Sequence, residues 1–176
     1  MQTQAHPLEP FFHEAVSANY EARLGLNDPA ITDYVSRMLC DFSEPENLYR
    51  LHDATGRQIE SLEEMKFAAD PVLGAAPSFD AERAIRKYIG DYSLFVAGMC
   101  ADSTGTTANT TPQPTIAQLI QAGKESYKIV SQFNLFEYKK EAGLFARLAD
   151  NFERCVLGLV LIRQELDLRS DKMMRL

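Results

Sequence analysis

The sequence predicts an all-α protein, a single-domain antiparallel helical bundle of about six helices. Apolar residues recur at three- and four-residue spacing through nearly all of the 176-residue chain. No Val- or Ile-rich run alternates with polar residues over the length of a strand. Helix-start signals recur ahead of the periodic segments, with Asp28-Pro29 and the Thr115/Gln118 pair the clearest.

Phe12, Ala15, Val16, Tyr20 and Leu24 set a first helix over residues 8–24. Asp28 followed by Pro29 reads as an N-cap with proline at the first helical position. The helix behind it carries Ile31, Tyr34, Val35, Met38, Leu39 and Phe42 on one side. Ser43 and Glu46 have the spacing of a capping box and predict a short helix to residue 52. Thr55-Gly56 breaks the chain. Ile59, Leu62 and Met65 mark another helix ending near Ala69. Pro71, Gly74 and Pro77 make residues 70–79 a loop.

Ile85, Tyr88, Ile89, Tyr92, Phe95, Val96 and Met99 then follow one helical stripe. Residues 101–115, ADSTGTTANTTPQPT, have little apolar area to bury and read as a mobile loop. Thr115 and Gln118 form a second capping box, opening a helix with Leu119, Tyr127, Val130 and Phe133. The last periodic stretch runs over residues 136–169, with Gly143 as its one candidate bend.

The composition excludes several functions. Lys plus Arg number 18 and Asp plus Glu 25, a formal charge of −7, which disfavours a nucleic-acid partner. The densest acidic stretch, residues 41–64, reads as a solvated face, with a docking surface for a basic partner as the alternative. Cys40, Cys100 and Cys155 are isolated, without a CxxC pair, and are expected as reduced core thiols. The longest apolar run, residues 156–162, is far short of the ~20 residues a membrane-spanning helix needs. With no leader-like segment at the start, the expected location is the cytoplasm.

Motifs for chemistry are scarce. Thr3, Pro10 and Tyr49 stand three residues before His6, His13 and His52, so the Glu-x-x-His ligand pair of di-iron bundles is missing. Glu9 and His13 are four apart, but Pro10 lies between them and no third ligand is near, so no metal is expected. There is no P-loop, GxGxxG, HExxH or GxSxG, and no cofactor is expected. Lys124 and Lys128 in GKESYK lie off the apolar stripe and are expected in solvent.

One carboxylate stands out. In YIGDYSLFVAGMC, residues 88–100, only Asp91 and Ser93 interrupt a segment whose apolar residues surround the helix. Gly90, Leu94, Ala97 and Gly98 form a second small and apolar face opposite Tyr92 and Met99, so the helix is either central or faces a partner chain. Helix-interior glycines at 90, 98, 123, 143 and 158 read as close helix crossings, with room for a ligand as the alternative. Asp91 lies between the two faces and needs a partner once desolvated. Arg163, on the stripe of Leu159, Ile162 and Leu166, and Arg23, on that of Phe12 and Val16, are the candidate cations. Tyr92, Tyr127 and Asn134 are candidate hydrogen-bonding neighbours.

Two functions follow as expectations. The favoured one is a non-enzymatic protein acting through association, with a homodimer as the default and the 90/94/97/98 face as its contact. The alternative is a bundle, a binding protein or an enzyme, that takes a small anionic ligand beside Asp91, Tyr92, Tyr127, Arg163 and Arg23.

Overall fold

The computed structural model describes residues 6–74, 76–100 and 113–175. Among these the chain is all-α, with eight α-helices where about six were expected. They are α1 Glu9–Ser17, α2 Pro29–Ser43, α3 Pro45–Leu48, α4 Leu62–Ala69, α5 Phe79–Met99, α6 Ile116–Gln132, α7 Lys139–Asp150 and α8 Phe152–Met174. The predicted loop over residues 101–115 falls mostly outside the described residues.

Local sequence explains most boundaries. Asp28 accepts from the backbone N–H groups of Ala30 and Ile31 and so caps α2. Ser61 and Ser78 cap α4 and α5 through the N–H groups of Glu64 and Ala81. Thr115 and Gln118 complete the predicted capping box of α6.

The Ser43/Glu46 box does not form. Pro45 takes the first turn of α3, the extended residue before it, Glu44, becomes the cap, and the Ser43 hydroxyl turns back to the Cys40 carbonyl at 2.6 Å. The long C-terminal helix breaks at Asn151 and not at Gly143. The Asn151 side chain donates to the Arg147 carbonyl at 2.9 Å and competes with the helix for a backbone acceptor. The first helix passes at Ala18–Arg23 into a π-helical turn, in which the Leu24 N–H reaches the Asn19 carbonyl at 3.1 Å.

α5 occupies the centre, packed by α4, α6 and α8 and touched by α2. Its second apolar face is covered within the chain. A Cβ on Gly90 would stand 2.3 Å from the Tyr127 ring, and one on Gly98 would stand 2.4 Å from Leu159 Cβ. The same seating recurs where Phe152 lies on Gly123 and Tyr20 on Gly158. The 90/94/97/98 face is therefore the seam with α6 and α8, not a surface open to another chain. Close crossing, the reading expected for these glycines, holds at all four; Gly143 meets only the tip of Arg147.

These contacts fix direction. α6 runs antiparallel to α5, because Tyr127 sits on Gly90 while Ile129 and Phe133 share a groove with Phe79 and Glu82. α8 runs in the direction of α5, since Phe152 meets Tyr127 near Gly90 and Leu159 lies on Gly98. Beyond Leu166 the packing ends, and residues 167–175 are exposed without exception. No helix among the described residues is long and apolar enough to cross a membrane.

Candidate functional site

Asp91 is 7 % exposed and binds three partners. The hydroxyl of Tyr34, from α2, donates to Oδ1 at 2.6 Å. The hydroxyl of Tyr127, from α6, donates to the same oxygen at 2.7 Å. Lys87, one turn earlier on α5, reaches Oδ2 at 3.0 Å and lies 5.2 Å above the Tyr34 ring. The carboxylate thus ties three helices together. Burial, and secondly the Asp91 charge, push the Tyr34 and Tyr127 phenols well above their ordinary range. Both remain neutral donors at physiological pH.

The sequence placed Asp91 inward and Tyr127 near it, and the structure brings these two together. It separates the others. Arg23 is exposed and pairs with Glu165 at 3.0 Å and with Asn19 at 3.0 Å. Arg163 lies near Cys100, beyond the other end of the site, where its charge opposes the upward push of burial on that thiol. Tyr92 is buried against the Tyr88 ring at 6.0 Å and donates nothing to Asp91. Asn134 is exposed, past the end of α6.

The reason is simple. A helical wheel gives the direction of a side chain but not the partner across the gap. Tyr127 is the expected hydrogen-bonding neighbour, whereas the phenol of Tyr34 and the amine of Lys87 stand where an arginine was expected. Lys87 was readable from its four-residue spacing to Asp91.

On its outer side Asp91 borders a cleft of about 330 Å³ lined also by Arg50, Arg83, Lys87 and Tyr88. Arg83, Lys87 and Asp91 follow one another at four-residue steps, so a single face of α5 presents all three. Arg83 is 8 % exposed. Its guanidinium lies 4.0 Å above the Tyr138 ring and donates to Glu141 Oε2 at 2.7 Å. Arg50 comes from the loop after α3. Its guanidinium stands 5.6 Å over the Tyr88 ring and 5.7 Å over Phe42, and its Nε donates to the Asn47 carbonyl at 3.1 Å. The Tyr88 hydroxyl anchors this loop by donating to the Leu48 carbonyl. Arg50 forms no ion pair among the described residues.

Three cations and one carboxylate therefore share a small opening in a protein of net charge −7. Both Asp91 oxygens already accept hydrogen bonds. Its chemistry here is to hold Lys87 and the two tyrosines in place, leaving Arg50 as the most accessible donor for an anion.

The remaining candidate groups lie elsewhere. His13 Nε2 lies 2.9 Å from Asp33 Oδ1. Lys124 pairs with Glu153 at 2.6 Å. Cys155 is buried, and desolvation drives its thiol up to about 12, far from a reactive thiolate.

Fold and site together define an α-helical bundle with a tyrosine-held carboxylate beneath a cationic cleft. No family model matches the chain, and neither the curated proteins nor the solved structures contain a match to it.

Proposed function

We propose that the protein binds a small molecule carrying a carboxylate or phosphate in the cleft above Asp91. The observation that carries this reading is the convergence of Arg50, Arg83 and Lys87 on one opening in an otherwise acidic chain. Arg50 is the donor that meets the anionic group, and Lys87, positioned by Asp91, is its second contact. The cleft volume falls within the range of about 300–1,000 Å³ common for small-ligand sites. Association through the small-residue face of α5 has less support, because α6 and α8 occupy that face. The three free cysteines fit a reducing compartment, and we place the protein in the cytoplasm.

Native mass spectrometry of the protein purified from its own host tests this directly. The expected result is a retained small-molecule mass that disappears in Arg50→Glu while the helical circular dichroism is unchanged. Pyrophosphate and citrate then serve as probes in a thermal-shift titration, and each raises Tm in the wild type but not in the variant. A protein that carries no added mass and shows no shift with either probe overturns the proposal.

A further inference from the structure

A second feature lies at the opposite end of the bundle from the projecting end of α8. Phe79, Ile129, Phe133, Leu135, Phe136 and Tyr138 enclose an apolar groove of about 680 Å³ between the start of α5 and the α6–α7 connection. Its charged lining is acidic, from Asp80 and Glu82, with no Lys or Arg. Lys139 and Lys140 begin α7 outside it. Phe79 is 78 % exposed and Phe136 88 %. Phe136 also holds φ at 52°, a left-handed conformation that a bulky side chain rarely adopts. Large apolar side chains held in solvent around one groove mark a contact surface.

The last two turns of α8 have the complementary character. Met173 and Met174 are each 78 % exposed, and they extend the stripe of Leu159, Ile162 and Leu166 beyond the point where the bundle can cover it. Past Asp167, Arg169, Lys172 and Arg175 stand against a single acid, Asp171. One chain cannot satisfy itself. At about 1.5 Å per residue along α5 and α8, the groove and the projection are roughly 50 Å apart.

We propose that residues 168–174 of one copy seat in the acid-lined groove at the start of α5 in a second copy, and reciprocally. Two chains lying side by side in opposite directions bring each projection to the other's groove, so the arrangement closes as a two-fold dimer. The methionines enter the apolar floor, and Lys172 and Arg169 meet Glu82 and Asp80. Two grooves facing each other directly would set Asp80 and Glu82 against their own copies, which disfavours that arrangement. The contact is independent of the Asp91 cleft.

Sedimentation equilibrium on the full chain provides the test, with circular dichroism as the folding control. The wild type is expected to be a dimer. Met173→Glu with Met174→Glu weakens it by about a hundredfold in Kd, because two apolar anchors become charged. Glu82→Lys and Lys172→Glu each weaken it by roughly tenfold, and combining them restores the dimer. Lys172, Met173 and Met174 are exposed in the monomer and Glu82 is half-buried in the first turn of α5, so the circular dichroism control matters most for Glu82→Lys. A monomeric wild type, a dimer indifferent to the methionine pair, or a double charge variant weaker than either single one overturns the proposal.

Discussion

α5 and α8 are the longest helices, at 21 and 23 residues, and their surroundings are opposite. Residues 88–94 of α5 are buried in unbroken succession, whereas residues 167–175, at the far end of α8, are exposed in unbroken succession. In α5 a buried polar group is costly without a protein partner; Asp91 finds three, while the buried Ser93 hydroxyl finds none among the described residues. At the far end of α8, over residues 167–175, the charged groups stand in water, whereas Glu153 and Glu165 nearer its start pair with Lys124 and Arg23. Helix length alone says little; the number of covered faces decides how much each residue matters.

Substitutions should reproduce this contrast in graded form. The largest effect belongs to Asp91→Ala, which strands two buried phenol hydroxyls and the Lys87 amine. Urea denaturation should show a loss of about 2–5 kcal/mol, mostly from the two unpaired hydroxyls, since the Lys87 side chain reaches water. Asp91→Asn keeps an acceptor for the tyrosines and should cost less than half as much; equal losses would show that the hydroxyl bonds contribute nothing. Gly90→Ala comes next. Its methyl group would meet the Tyr127 ring at 2.3 Å, and overpacking of this kind costs about 1–3 kcal/mol.

Alkaline pH acts on the same region. Burial raises the phenols of Tyr20, Tyr34 and Tyr127 well above their ordinary range and that of Tyr92 to about 12. In the unfolded chain they ionise near pH 10, so above that pH the unfolded state binds fewer protons and stability falls as pH rises. Each should contribute about 1.4 kcal/mol per pH unit, until its folded pKa is reached. Tyrosinate absorbance should therefore appear together with loss of helical circular dichroism. Ionisation of all the tyrosines in a still-folded protein would contradict the burial. The smallest effect is expected in α8, where Met173→Ala should leave monomer stability within about 0.5 kcal/mol.

Much of this contrast was legible in the residues. The apolar wrapping of residues 88–100 indicated a helix covered on both sides, and the wheel placed Asp91 inward. The caps at Asp28 and Thr115 were readable because each is a local hydrogen-bond pattern. The break at Asn151 was missed because asparagine is compatible with a helix interior, and its bond to the Arg147 carbonyl is visible only in space. Tyr34 was placed on its stripe but not matched to Asp91, which is 57 residues away. Arg50 falls in the short helix expected to run to residue 52, which in the structure ends at Leu48 and leaves Arg50 in the loop behind it. Lys87, four residues before Asp91, and Arg83, four before Lys87, are readable from that spacing as one charged face of α5.

The rings seated on glycines have a consequence in time as well as in space. Tyr127 lies edge-on against Gly90, its hydroxyl is held by Asp91, and Phe145 and Phe152 pack beside it at 5.5 and 5.8 Å between centroids. A half-turn of that ring carries its edges out of the Gly90 notch and through space that Phe145 and Phe152 fill, so the packing around it must first loosen. The two sides of the Tyr127 ring should therefore give separate, slowly exchanging NMR signals, unlike the exposed ring of Phe136. Their interchange rate would report how often the interior of this bundle loosens.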